Sequence, residues 1–185
     1  EWRILAMLSG AVRIVEAFQA DKDVHTQTAC DACGLQPKQV DKLTHRAAAK
    51  HVNFEIVFGE TAMGLHEQLV GHFGALNLPV PDYLTLEWCE KFIGKWFGIY
   101  PEVLEFMEKQ HYRARRYGMV WTPIGRIRRV PEVRSVHKRV VAAGDRPAGN
   151  HPIQGFGGDL LRLAMAEVSG EIVPAVRGAG GWCWP

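Results

Sequence analysis

Two cations and two aromatic rings recur at regular steps in one stretch of the sequence. Each lies four residues from the next, and the four are Arg46, Lys50, Phe54 and Phe58. On an α-helix this spacing gives a slowly rotating stripe along one side. An arginine offers phosphate oxygens a planar fork, a lysine offers a compact charge, and a ring one turn further on can stack on a base or a sugar. The order of these groups suits a nucleoside triphosphate, and the cations would sit where charge builds as pyrophosphate leaves.

The same stripe has a plainer interpretation, which the spacing alone favours. In it, Arg46 and Lys50 are solvated surface cations and both phenylalanines belong to the core. The stretch contains no glycine-rich phosphate loop, so a P-loop mechanism lends no support to nucleotide binding. Spacing by itself therefore leaves the chemistry of the stripe open.

A pair of cysteines gives a second candidate site. Cys30 and Cys33 form a C-x-x-C pair in TACDACG, with His25 nearby. A structural zinc site needs four ligands, and no second pair follows. We therefore expect no metal site, and we interpret the cysteines as free thiols in a reducing compartment.

Composition and charge narrow the class of protein. The chain has 185 residues, of which 47% are hydrophobic and 23% charged, so a globular protein is expected. The formal net charge of +2 gives no argument for a nucleic-acid partner, which must rest on local clusters. One cluster consists of arginines: Arg113, Arg115, Arg116, Arg126, Arg128, Arg129 and Arg134. Such a cluster more often forms a solvated surface, and a DNA-facing surface is the alternative.

Targeting signals are not evident in the sequence. No apolar run is long enough to span a membrane, so no membrane partner is expected. The N-terminal EWRILAMLSG lacks the basic start and the cleavage site of a signal peptide, and it lacks an initiator Met. We interpret residue 1 as a cut inside a longer protein.

Hydrophobic periodicity and breaker residues predict a mainly α-helical chain with a small β-hairpin. The predicted helices span residues 1–20, 23–33, 41–58, 61–73, 82 to about 100, 101–116 and 153–168, and the hairpin spans 119–130. Asp23 and Asp82 are expected to cap their helices, Gly34 to end the second helix and Pro101 to begin a new one. Pro147 and Pro152 are expected to interrupt the helical structure after the hairpin. The glycine-rich residues 170–185 suggest the start of a strand.

Several motifs occur in an order that is far more specific than any one of them. The stretch HRAAAKHVNFEIVFG resembles the fingers helix of the family A DNA polymerases, the group of bacterial DNA polymerase I and many phage replicases. That helix carries Arg, Lys, an aromatic residue and Tyr-Gly at four-residue steps, and Asn53 also matches it. The flanking segments that also resemble this family are EWRILAMLSG, DVHTQTA, YGMVWTPIGRIR and DRPAGNHPIQGFGGDLLRLAM.

The resemblance implies roles for residues around the nucleotide. Lys50 would bind the triphosphate and act as the catalytic group that helps proton transfer to pyrophosphate, and Arg46 would hold the terminal phosphates. The nucleotide-binding set is completed by Glu1, His25, Phe54 and Phe58. Of these, His25 would reach the triphosphate, Phe54 would pack near the sugar, and Glu1 would block a ribose 2′-hydroxyl. Phe58 replaces the family's Tyr, whose hydroxyl can bond that Glu, and Glu55 replaces a usual glycine.

The resemblance also implies contacts with DNA. Arg146, Asn150 and Gln154 align with residues that touch primer and template near the growing end. Amide side chains can donate to the minor-groove acceptors shared by all base pairs, so they can test pairing without reading sequence. Arg126, on the hairpin, would contact the phosphate backbone. Without the resemblance, these would be ordinary polar residues around a helix start.

The implied fold is the fingers and part of the palm of a right-hand polymerase, which is α+β in the full protein. Residues 1–20 would be a palm-derived helix, 21–118 the fingers, and 119–185 the return to the palm, ending before a His-Asp-Glu motif. The family's two metal-binding carboxylates would then lie just outside both ends. Mg²⁺ would be the cofactor of the full-length protein, and the fragment alone is expected to be inactive.

The expected function is that of a DNA-directed DNA polymerase in replication or repair. Its partners would be primer–template DNA and dNTPs, in the cytoplasm of a bacterium or of a phage-infected cell. Two alternatives stay open: a catalytically dead DNA-binding relic of the same fold, and a helical interaction domain unrelated to it.

Overall fold

A computed structural model of the protein describes residues 1–59 and 61–178, with side chains up to residue 170 apart from residue 57. The helices are α1 Trp2–Ser9, α2 Val12–Gln19, α3 Val24–Cys33, α4 His45–Glu55, α5 Ala62–Ala75, α6 Leu86–Ile99, α7 Pro101–Tyr117 and α8 Lys138–Gly178. The strands are β1 Met119–Trp121 and β2 Ile127–Arg129, and 3-10 turns cover Pro37–Gln39, Ile56–Phe58 and Pro131–Arg134. The prediction of a mainly helical chain with one hairpin is confirmed.

The first predicted helix is two helices. Gly10 adopts a left-handed conformation with φ of 76°, and its N–H donates to the carbonyl of Ala6, which ends α1. A glycine in this position satisfies a terminal carbonyl without a Cβ penalty. The prediction of one helix over residues 1–20 was wrong because periodicity continues across the glycine. Leu5 and Ile14, one on each helix, are both buried in the same core.

The caps of α3 agree with the prediction, whereas α4 is shorter than predicted. Asp23 accepts a hydrogen bond from the backbone N–H of His25 at the start of α3, and Gly34 ends that helix with φ of 69°. The carboxylate of Asp41 accepts from the N–H and the hydroxyl of Thr44, which forms a turn, so α4 begins at His45. At its C-terminal end, α4 tightens into the 3-10 turn Ile56–Phe58.

Helices α5, α6 and α7 each begin at a residue that favours a helix N-terminus. Thr61 caps α5 through Gly64 N–H. Thr85, and not Asp82 as predicted, caps α6 by accepting from the N–H of Trp88. Pro101 starts α7, as predicted, because a proline in the first turn loses no helical hydrogen bond.

The predicted hairpin follows α7. Met119 pairs with Arg129 and Trp121 pairs with Ile127 in an antiparallel register. Gly125 in the turn has φ of 91°, a conformation that favours glycine.

The last helix, α8, runs through both prolines that were expected to interrupt it. Each proline removes one backbone hydrogen bond, at a cost of about 3 kcal/mol in a helix interior. Ala148, Pro152 and Ile153 are buried on this helix, and their packing offsets that cost. The backbone is helical up to Gly178, so the strand suggested for residues 170–185 is not present over 170–178, and residues 179–185 lie outside the described residues.

Two apolar clusters form the core. The larger one joins α1 to α7 and takes one residue of α8, Ile153. The smaller one lies under the hairpin and consists of Ala114, Val120, Val130, Val133 and Ala148. Helix α8 thus contacts both clusters. Among the described residues, no helix is long and apolar enough to cross a membrane.

Candidate nucleotide and DNA interface

The stripe on α4 lies on the open side of its helix. Val52 and Ile56 face the core, while Lys50 is exposed and Phe54 is 36% exposed. An exposed Phe54 does not fit the interpretation in which both phenylalanines are core residues. The helix therefore presents a cation and a ring together toward solvent.

Arg46 is bound to Asp23, the capping residue of α3. Arg46 Nε donates to Asp23 Oδ2 at 2.8 Å. Partial burial acts to raise the pKa of Asp23, but hydrogen bonds from Arg46 and Thr26 and the charge of Arg46 outweigh it and bring the pKa down to about 2. Because the bond uses Nε, the edge of the guanidinium that carries Nη1 and Nη2 can turn toward a second acceptor. This partner of Arg46 was not predicted.

His25 lies beside the stripe. Its ring centroid is 5.5 Å from that of Phe54, at an angle of 48°. Burial lowers the pKa of His25, and the charges of Arg46 and Lys50 lower it further, against the opposing effect of Asp23. The structure therefore gathers His25, both cations and the exposed ring at the junction of α3 and α4.

Glu1 and Phe58 complete the predicted nucleotide set on one side of this junction. Glu1, Phe54 and Phe58 line the same small apolar pocket, together with Ile153 of α8. Residues that are far apart in the sequence therefore converge where α1, α4 and α8 meet.

A buried asparagine in this region was noticed in the sequence only as a match to the family. Asn53 is 0% exposed, and its side chain contacts His25, Thr28 and Trp96. The Trp2 indole N–H donates to its backbone carbonyl. The available signal was an amide side chain between Val52 and Phe54, in a helix that must pack its apolar face.

The predicted primer–template residues lie on α8. Arg146 and Gln154 are exposed, and Asn150 is partly buried. Arg146 lies against Gly59, which ends the 3-10 turn after α4: a Cβ on Gly59 would lie 2.8 Å from Arg146 Cγ. Gly59 also has φ of 81°, so both its backbone and its contact favour glycine. The structure thus brings Arg146 next to the nucleotide set and places Asn150 and Gln154 further along the same helix.

Arg126 is engaged inside the protein. Its Nε lies 2.8 Å from Asp159 Oδ1, and its Nη2 donates to the carbonyl of Gly155. Asp159 is 4% exposed and also accepts from the Thr122 hydroxyl at 2.8 Å. This group fastens the hairpin to α8. The guanidinium of Arg126 thus has a structural role within the protein. Its contact with DNA stays a prediction.

Other members of the arginine cluster also have partners. Arg115 donates twice through Nη2 to the carboxylate of Asp145, at 2.7 and 2.9 Å. The guanidinium of Arg113 lies 5.0 Å from the centroid of the Trp121 ring. Arg128 and Arg129 are exposed on β2. Some arginines of the cluster therefore make contacts within the protein, while others form an exposed cationic edge.

Within residues 1–59 and 61–170, no three His, Cys, Asp or Glu side chains gather in a way that could hold a metal ion. Burial raises the pKa of the Cys30 and Cys33 thiols, and it raises that of Cys89 to about 11. These thiols are therefore protonated at neutral pH. The described carboxylates do not fit the Mg²⁺ pair that the resemblance implies, so we assign no metal ligand.

Helices gathered around an exposed cation–aromatic stripe, with a hairpin fastened to a long helix, are the features of a right-hand polymerase domain. The chain belongs to DNA polymerase family A, whose sequence model matches residues 1–177. Among solved structures, it is similar to the POL domain of Pol1 from M. smegmatis in complex with DNA primer-template and dNTP. That likeness has a TM-score of 0.76 and 28% identity, over 97% of this chain and 28% of that one.

Curated relatives agree with this assignment. The chain is 38% identical over 168 residues to the thermostable DNA polymerase I of Thermus thermophilus. This alignment covers 91% of this chain and 18% of the relative. It is 36% identical over 168 residues to the thermostable DNA polymerase I of Thermus aquaticus, and this alignment covers 91% of this chain and 18% of the relative. It is 32% identical to DNA polymerase I of Pseudomonas aeruginosa, over 91% of this chain and 17% of the relative. The chain spans less than one fifth of the length of these relatives.

Proposed function

We propose that the chain is the nucleotide-holding and primer–template-holding part of a DNA-directed DNA polymerase that acts in replication or repair. Its substrates would be dNTPs and primer–template DNA. Residues 21–118 would form the fingers, while the first 20 residues and those from 119 onward would belong to the palm. The solved relative whose title names both DNA primer-template and dNTP supports this choice of partners.

The observation that carries the proposal is the convergence at the α3–α4 junction. His25, Arg46 and Lys50 lie beside the exposed ring of Phe54, and the charges of the two cations lower the pKa of His25. Phosphate oxygens require such cationic and N–H donors, and a ring beside them suits the sugar or the base. A purely solvated surface does not explain a half-buried histidine beside two cations.

The roles of the residues follow from their chemistry. In the reaction, the primer 3′-hydroxyl attacks the α-phosphate of the dNTP in line with the departing pyrophosphate. Arg46 and Lys50 would neutralise the charge that builds on pyrophosphate, and Lys50 would supply a proton to it. The side chain of Phe54 would hold the sugar against the pocket that Glu1 and Phe58 line.

The family's chemistry also implies Mg²⁺, which would lower the barrier by stabilising charge on the phosphates. No described group of side chains fits the binding of that ion in this chain.

A chimeric polymerase would test this proposal. The aligned segment of Thermus thermophilus DNA polymerase I would be replaced by this chain, and single-nucleotide extension of a labelled primer would be followed. We expect the chimera to extend the primer. Its Lys50→Ala variant should lose activity by on the order of 100-fold, because a donor to the developing charge is removed.

Lys38→Ala serves as the matched control, since Lys38 is exposed in the 3-10 turn Pro37–Gln39 and lies outside the proposed site. A folded chimera that binds primer–template but does not extend it would instead support a DNA-binding relic. Equal activity in the Lys50→Ala chimera would overturn the role proposed for that lysine.

A further inference from the structure

Asn53 is fixed in one amide orientation by a tryptophan. Both residues are 0% exposed, and Trp96 Nε1 donates to Asn53 Oδ1 at 2.7 Å. An indole N–H is a donor only, so the atom that faces it must be the amide oxygen. The amide nitrogen Nδ2 therefore points in the opposite direction, away from α6.

The Asn53 amide nitrogen has two acceptors, and one of them is His25. Asn53 Nδ2 lies 3.2 Å from Thr28 Oγ1 and 3.0 Å from His25 Nδ1. The hydroxyl hydrogen of Thr28 is given to the carbonyl of Val24 at 2.8 Å, so its oxygen is available to accept. An amide nitrogen cannot accept a hydrogen bond, so the contact to the histidine requires that Nδ1 be the acceptor.

This requirement settles where His25 carries its proton. A neutral imidazole has one N–H, and an accepting Nδ1 places that N–H on Nε2. The two nitrogens flank Cε1, so a ring held through Nδ1 turns its Nε2–H away from Asn53. Protonation of Nδ1 would set two donors against each other, and the nearby charges of Arg46 and Lys50 oppose it as well.

We propose that Asn53 is a positioning residue, which holds His25 in the Nε2–H tautomer and turns that N–H toward the triphosphate of the incoming nucleotide. The nucleotide in this statement rests on the proposed function. Trp96 acts one step further back, because it fixes the amide of Asn53. The binding surface then has a neutral donor beside the two cations, and this donor is set by Asn53 and Trp96, which are both buried.

The competing explanation is that Asn53 only satisfies buried polar groups, both donors and acceptors. Trp96, Thr28 and the Trp2 indole all bond to it, and such a network stabilises a core without any effect on the ligand. The two explanations differ in what happens to the imidazole of His25 when the amide is changed. A test must therefore read that ring directly.

The first measurement is nitrogen NMR of the histidine rings in the ¹⁵N-labelled chain without nucleotide. His25, assigned with His25→Phe, should show a nonprotonated Nδ1 and a protonated Nε2. His45 is an internal reference, since its Nδ1 accepts from the backbone N–H of Asp41 at 3.2 Å and should show the same pattern. A His25 that carries its proton on Nδ1, or that exchanges evenly between tautomers, would overturn the proposal.

Two variants separate positioning from packing. Asn53→Asp puts an acceptor oxygen where Nδ2 was, so His25 should become protonated at Nδ1 while His45 is unchanged. Trp96→Phe keeps Asn53 but removes the donor that orients it, so His25 should become a mixture of tautomers. An unchanged His25 signal in both folded variants would mean that the network only packs the core.

The second measurement is the affinity for a dNTP, read by equilibrium titration of the chain. His25→Ala and Asn53→Ala should each weaken binding on the order of tenfold, the loss expected for one hydrogen bond to a charged group. The double variant should bind no more weakly than His25→Ala, because Asn53 acts through the histidine. Losses that multiply would instead indicate that Asn53 acts by another route.

Circular dichroism and thermal unfolding would establish that each variant is folded, and Trp96→Phe substitutes for Asn53→Ala if the latter is not. A chain that shows the expected tautomer but binds no dNTP would overturn the proposed function and the ligand assigned to Nε2, while the role of Asn53 in fixing the ring would stand.

Discussion

At the scale of single residues, the partners of the candidate site residues come from distant parts of the chain. The spacing of Arg46, Lys50 and Phe54 on one helix face could be read directly. The partner of Arg46, Asp23, could not, because it lies 23 residues away and is brought near only when α3 packs on α4. Asn53 was missed as an organiser for the same reason, since Trp96 is 43 residues away.

Titration of the histidines gives a prediction at this scale. Burial lowers the pKa of His25, His45 and His151 in the folded state, so the unfolded chain binds more protons than the folded chain below the ordinary value of 6.5. The free energy of unfolding should therefore be highest above pH 6.5 and fall as the pH drops below it. Each histidine should contribute a slope of less than about 1.4 kcal/mol per pH unit.

Denaturant unfolding between pH 8 and pH 5 would measure this slope. Around His25 the charged groups are Asp23, which opposes the shift, and Arg46 and Lys50, which add to it. Asp23, with a pKa of about 2, stays ionised across the whole range. His25→Gln should reduce the slope, and a slope that is unchanged in that variant would contradict the burial of a neutral His25.

At the scale of elements, local signals predicted several helix ends and missed others, such as those at Gly10 and Thr85. Gly34, Thr61 and Pro101 mark boundaries that the structure confirms. The prediction that prolines interrupt a helix was wrong for α8, which continues through Pro147 and Pro152. The buried face of α8 packs against the hairpin and α1, and this tertiary packing outweighs the local effect of the prolines. Such packing involves residues far apart in the chain and cannot be read from a short window.

The contact of α8 with the hairpin predicts opposite effects for two glycines. A Cβ on Gly155 would lie 2.7 Å from Thr122 Cγ2, so Gly155→Ala should overpack the contact and destabilise the protein by about 1–3 kcal/mol. Gly71, in α5, has nothing within 4 Å of a Cβ, so Gly71→Ala should stabilise it by about 0.5–1 kcal/mol.

Thermal or denaturant unfolding of the two variants would compare them under the same conditions. Since both glycines lie within helices, helix propensity alone would make both substitutions stabilising. A Gly155→Ala variant as stable as the Gly71→Ala variant would contradict the close contact between α8 and the hairpin at Gly155.

At the scale of the whole molecule, the candidate site exists only where three separate parts of the chain meet. Glu1 at the start of α1, Phe54 on α4 and Ile153 on α8 line one pocket, and Arg146 lies against Gly59 at the end of the 3-10 turn after α4. The order of motifs along the sequence predicted which segments take part. Their convergence depends on the shared core and could be stated only from the structure.

The central claim is that the α3–α4 junction holds a nucleoside triphosphate, and the most direct test is the affinity of the folded chain for a dNTP. The affinity would be measured by equilibrium titration for the unchanged chain, for Lys50→Ala and for the control Lys38→Ala. We expect binding to the unchanged chain and to the control, with Lys50→Ala weakened on the order of tenfold or more because a charged donor to phosphate is lost. Equal affinity in Lys50→Ala and Lys38→Ala, or no dNTP binding by the unchanged folded chain, would contradict the claim.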